Sequence, residues 1–134
     1  MNYTSLEEIS AVAQRAWSNR QVAHKIALDA ASILSRTRKR NWAFYSGKAP
    51  KTLIAGLFYL LGFRYDAEKK QKQIAKCLGT TEMTVRTSYR SWLKEFPDLF
   101  LDVIGKFAEH SNLRYFVLLE LGQTKLQTVG GSRQ

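Results

Sequence analysis

The run TTEMTVRTSYR, residues 80–90, carries the side chains best suited to contacting a ligand. Met83, Arg86, Thr87 and Arg90 recur three and four residues apart, so on a helix they share one face. Arg86 has the planar, two-pronged donor set that pairs with the O6 and N7 edge of a guanine. Met83 offers an apolar contact to a thymine methyl, by analogy with other apolar groups. The hydroxyls of Thr81 and Thr84, with the backbone amides at the helix start, are suited to phosphate oxygens. This is the chemistry of recognition. For catalysis, no serine, cysteine or carboxylate pair has an arrangement that points to a nucleophile and its base, so no enzyme is expected. His24 and His110 stand alone in their segments, which leaves no metal site and no cofactor to expect. GKAPKT has a Gly-Lys pair but lacks the upstream glycine and the Ser/Thr after the lysine of a phosphate-binding loop.

A base-reading helix must be braced and aimed. Val85, Tyr89, Trp92, Leu93 and Phe96 form an apolar stripe on the side away from Arg86. They predict a helix capped by Thr80 or Thr81 and ended near Phe96 by Pro97. Before it, Gln71 to Leu78 turns Ile74, Ala75 and Leu78 inward, and Gly79 is a natural C-cap. Residues 67–96 therefore read as a helix–turn–helix. The same pattern also fits a plain helical hairpin.

Helical periodicity extends over most of the remaining chain. Ser5 and Glu8 fit a capping box for a first helix, and Ser18 or Asn19 caps a second that runs into RTRKR. Pro50 opens a third, PKTLIAGLFYLLGF, apolar nearly all round and expected at the centre of a bundle. Further patterns cover DLFLDVIGKFAEH and NLRYFVLLEL, and residues 122–134 read as a loose tail. In the loop NWAFYSGKAP, Trp42, Phe44 and Tyr45 follow a basic run and have the chemistry to stack on bases. Their expected role is to plug the bundle.

The chain has 134 residues and a net charge of +10, which points to a polyanionic partner. The excess is uneven: +6 over residues 18–48, +4 over 49–76, and near zero at both ends. Arg38, Lys39, Arg40, Lys69 and Lys72 are candidates for phosphate contacts, with a solvated basic surface as the alternative. Cys77 is the single cysteine, expected in the core, so no disulfide forms within the chain and a reducing compartment is expected. Glu7 and Glu8 interrupt any apolar run at the start, so no signal peptide is expected, and LIAGLFYLLGF is too short to span a bilayer.

KAPKTLIAGLFYLLG followed by QKQIAKCLGTTEMTVRTSYRSWLKEF resembles the cyclin-like repeat of transcription factor B, the general initiation factor of archaea and eukaryotes. Pro50, Ala55, Tyr59, Gln71, Lys72, Ile74, Ala75, Gly79, Thr81, Glu82, Thr84, Val85, Arg86 and Tyr89 fall on that family's pattern, and TEMTVR is its most specific run. The resemblance implies a cyclin-like five-helix bundle over residues 1–96 containing the helix–turn–helix. One or two extra C-terminal helices would follow over 97–121. It implies that Met83 and Arg86 read a promoter element from the major groove, with Thr81, Thr84 and Arg90 near the DNA backbone. It also implies TATA-binding protein as a partner. A cytoplasmic, nucleoid-associated location is expected. The chain departs from the family in having one repeat and no cysteines for a zinc ribbon. Gln73, Lys70 and Thr80 stand where that pattern has an acid, a threonine cap and a valine.

Two functions follow as expectations. One is a transcription factor module that binds double-stranded DNA. The alternative is a cyclin-like adaptor that binds a partner protein and touches DNA only non-specifically. Residues 97–121 are a candidate homodimer surface.

Overall fold

In the computed structural model, which describes residues 5–107, every regular element is helical. These are α1 (Leu6–Ala16), α2 (Arg20–Arg40), α3 (Trp42–Tyr45), α4 (Pro50–Arg64), α5 (Gln71–Leu78), α6 (Glu82–Glu95) and α7 (Leu101–Phe107). A 3-10 turn, Pro97–Phe100, precedes α7. The fold is all-α, consistent with the cyclin-like bundle. The pattern at 112–121 and the tail at 122–134 lie outside the described residues, as does His110. The chain divides at Arg90 and Ser91, inside α6, into two compact units.

In the first unit, local signals set the helix ends. Ser5 Oγ accepts from the Glu8 amide at 3.2 Å, and the Glu8 carboxylate accepts from the Ser5 amide, closing the capping box. Asn19 caps α2 by accepting from the amides of Gln21 and Val22. Pro50 sits in the first turn of α4, where its missing N–H costs nothing. Residues Leu53 to Phe63 of α4 are all buried, as its unbroken apolar surface predicts.

Around α4, α1 packs on α2 and α5, and α2 packs on α4. Trp17, at the end of α1, stacks edge-on against Phe58 with ring centroids 5.5 Å apart. Its indole N–H donates to the carbonyl of Ala67 at 2.7 Å, tying α1 to the loop before α5. Asp29 on α2 accepts from Arg64 at 3.2 Å and from the Tyr65 hydroxyl, holding the C-terminal end of α4.

Two expectations are corrected. Cys77 is half-buried, its thiol 3.9 Å from the Arg15 carbonyl, because it lies on the edge of the α5 face defined by Ile74, Ala75 and Leu78. In the loop after α2, Phe44 and Tyr45 are buried as expected, but Trp42 is 71% exposed. The cause is α3. Asn41 caps this single helical turn through the Phe44 amide, and one turn cannot direct all three rings inward.

In the second unit, Trp92, Phe96 and Phe100 form an aromatic cluster. The Trp92 ring centroid lies 5.6 Å from that of Phe96 and 6.3 Å from that of Phe100. Val103 of α7 is also buried.

Candidate nucleic-acid interface

The turn between α5 and α6 is set by backbone chemistry. Gly79 adopts the left-handed conformation (φ 65°, ψ 41°) that a side chain disfavours. The Thr80 amide then reaches back to the Ala75 carbonyl at 2.9 Å and the Gly79 amide to Lys76 at 3.3 Å, the paired bonds of a Schellman C-cap. Lys51 of α4 donates to the Gly79 carbonyl at 3.4 Å, anchoring the turn to the bundle. At the other end of α5, Gln73 Oε1 accepts from the Lys70 amide at 2.9 Å. A lysine side chain has no acceptor to complete that box.

Thr81 opens α6. Its hydroxyl oxygen accepts from the Thr84 amide at 3.1 Å and lies 3.0 Å from the Thr84 hydroxyl. The two threonines are thus one local unit at the helix start. Glu82 in the first turn favours the helix dipole, although its charge opposes a phosphate there.

What aims α6 is its crossing with α4, which the periodicity did not reveal. Ser88 is buried, donates to the Thr52 carbonyl and accepts from the Gly56 amide at 3.1 Å. A Cβ on Gly56 would lie 2.6 Å from backbone atoms of Ser88 and Tyr89, so only glycine permits this approach. Beside it the Tyr59 and Tyr89 rings lie 4.7 Å apart. Tyr59 also hydrogen-bonds Gln71, so α4, α5 and α6 meet at one tyrosine pair.

That pair shapes the charge at the site. Burial pushes the Tyr59 hydroxyl up to about 12, against the opposing effects of Gln71 and Arg86. Burial raises Tyr89 as well, with Arg90 and Arg86 opposing. Both tyrosines are neutral at physiological pH, so neither cancels the charge of Arg86. Arg86 is half-buried and makes no ion pair among the described residues. Arg90 is exposed and hydrogen-bonds Tyr89.

Of the residues expected to touch DNA, α6 and its cap bring together Thr81, Met83, Thr84, Arg86 and Arg90. Met83 is 67% exposed, while Val85 and Tyr89 of the opposite stripe are buried. Lys72 is exposed on α5. Lys69 is half-buried and lines a cleft of about 290 Å³ with Arg15, Lys76 and Cys77. Arg38, Lys39 and Arg40 are exposed in the last turn of α2, on a different element. Sequence reasoning missed Gly56 and Ser88, whose signal was a glycine in a long apolar helix and a serine beside the inward stripe.

No protein-family model matches the chain, and no solved structure matches it at a significant level. Known proteins do. The chain is 34% identical over 65 residues to transcription initiation factor IIB of Aeropyrum pernix, covering 48% of this chain and 20% of that protein. It is 38% identical over 50 residues to the factor of that name from Saccharolobus shibatae, covering 37% of this chain and 16% of that protein. The factor from Ignicoccus hospitalis is 33% identical over 61 residues, 46% of this chain and 19% of its own length. The chain thus spans about a fifth or less of the length of these relatives. Over that part, it is similar to archaeal transcription initiation factor IIB.

Proposed function

We propose that the chain is a DNA-binding module of transcription initiation, with α6 entering the major groove of promoter DNA. The observation that carries this reading is the outward face of α6: Met83 stands in solvent beside an unneutralised Arg86, on a helix locked to its bundle. Met83 and Arg86 read base edges in this proposal. Thr81, Thr84 and Arg90 hold the adjacent backbone, and Arg38, Lys39, Arg40, Lys69 and Lys72 meet phosphates further off. The similarity to initiation factor IIB supports TATA-binding protein or another initiation protein as a partner. A homodimer through 97–121 belongs to the same proposal.

One observation favours the adaptor reading as a second: the similarity covers 48% of this chain or less and leaves the rest of it unmatched. Selection of bound duplexes from a random pool, at two salt concentrations, separates the two. A motif that is enriched by the chain and lost with Arg86→Ala supports base readout, at about 1–3 kcal/mol for that contact. Binding without enrichment, falling steeply with salt, supports the adaptor.

A further inference from the structure

The end of α2, the whole of α3 and the start of α4 surround Trp42, a residue that the α6 reading does not use. Asn41 closes α2 and caps α3, so the chain turns sharply. Tyr45 is then fixed: its hydroxyl donates to the Leu34 carbonyl at 2.9 Å and lies 2.6 Å from the buried Thr37 hydroxyl. With Phe44 and Tyr45 pinned inside, the same turn holds Trp42 in solvent. Trp42 is the one exposed aromatic residue among the described residues. Leaving so large an apolar ring in water forgoes burial worth more than that of any other side chain here.

Beside the indole lies a pocket of about 310 Å³, with Leu34, Pro50 and Leu53 as its apolar surface. Arg38 and Lys48 also line it. Both cations are placed in advance. Arg38 lies over the Tyr45 ring at 5.4 Å, and Lys48 lies over Phe44 at 4.2 Å and donates to its carbonyl. Among the described residues no acidic side chain lines the pocket, and residues 36–51 contain six Lys/Arg and no Asp or Glu. The site therefore combines an exposed flat ring, an apolar recess and fixed positive charge.

We propose that this pocket binds single-stranded nucleic acid. One unpaired base stacks on the Trp42 indole against Leu34 and Pro50, and Arg38 and Lys48 meet its flanking phosphates. The occupant must be unpaired, because in a duplex each base face is covered by its neighbours. An acidic peptide would satisfy the two cations, but a carboxylate side chain has no flat face for the indole. The site shares Arg38 with the proposed duplex contacts and uses no residue of α6.

The test uses the intact chain and a dye-labelled oligothymidylate of about twelve nucleotides, followed by anisotropy. Trp42→Ala is expected to weaken binding about tenfold or more and Trp42→Phe to retain most of it. Tryptophan emission gives a readout on the unaltered fold. Stacking quenches the wild type, and the quenching disappears in Trp42→Phe, where buried Trp17 and Trp92 remain. Equal affinity of Trp42→Ala and wild type overturns the proposal. So does an unquenched wild type, or Trp42-dependent binding of a Glu-rich peptide with none of the oligonucleotide.

Discussion

At the scale of the residue, Gly56 decides whether α6 can reach its place. A methyl there would lie 2.3 Å from Ser88 Oγ and 2.6 Å from the Ser88 carbonyl carbon and the Tyr89 nitrogen. The hydroxyl could rotate away, but the backbone could not. Gly56→Ala gains about 1 kcal/mol of helix propensity and forces an overpacking shift that costs about 1–3 kcal/mol or more. Net destabilisation in urea is expected, and Ser88→Ala should not rescue it because the backbone atoms remain. Tyr59 supplies a second residue-scale test. Its folded pKa is about 12 against an unfolded 10.0, so below pH 10 both states hold the proton and stability is unaffected. Between pH 10 and 12 the unfolded state loses its proton first, and folding weakens by roughly 2–3 kcal/mol. Urea midpoints at pH 8 and pH 11.5 should fall further in the wild type than in Tyr59→Phe. Gly56 did not announce itself in the sequence, and Tyr59 stood out only as a match to the family pattern. The Gly56–Ser88 contact joins positions 32 apart, and Tyr59 meets Tyr89 and Gln71 from three different helices. Hydrophobic periodicity tells which face turns inward, but not what it meets.

At the scale of the element, most of the α5–turn–α6 segment was legible, because its signals are local. Gly79 ends α5 in a left-handed turn, Thr81 caps α6, and Val85, Tyr89, Trp92, Leu93 and Phe96 are all buried. Ser5, Asn19 and Pro50 likewise act where the pattern put them, since each answers a need of its own helix end. The segment after α2 was misjudged for the same reason. Its three aromatics were read by composition, while a one-turn helix capped by Asn41 decides which rings turn inward. For α6 the local argument yields a further expectation. Thr81→Ala removes the acceptor for the Thr84 amide and should cost about 1 kcal/mol, whereas Thr81→Ser should cost little. If the cap also orders the turn proposed to face DNA, Thr81→Ala weakens duplex binding beyond the loss expected of one phosphate contact. Comparing denaturation with duplex titration for the two variants separates the cap from the contact.

At the scale of the whole molecule, the charge pattern bears on how a polyanion would be held. Residues 18–76 carry the entire net excess, on the elements that precede α6, while α6 itself contributes only Arg86, Arg90 and Lys94 against Glu82 and Glu95. The base-reading face proposed for α6 has little charge of its own and would need affinity from elsewhere, which the exposed Lys39 and Lys72 would supply without reading sequence. The two roles then separate under salt. Each phosphate contact releases counterions and adds about 0.9 to the slope of log affinity against log salt. Lys39→Ala should therefore lower that slope by about 1, weaken every duplex alike and leave the selected motif unchanged. Arg86→Ala should do the reverse, flattening the motif while changing the slope little. Titrations of a selected and a scrambled duplex at several salt concentrations read both effects together. If Lys39→Ala left slope and affinity untouched, the basic middle of the chain would be a solvated surface, and α6 would have to bind DNA on its own few charges.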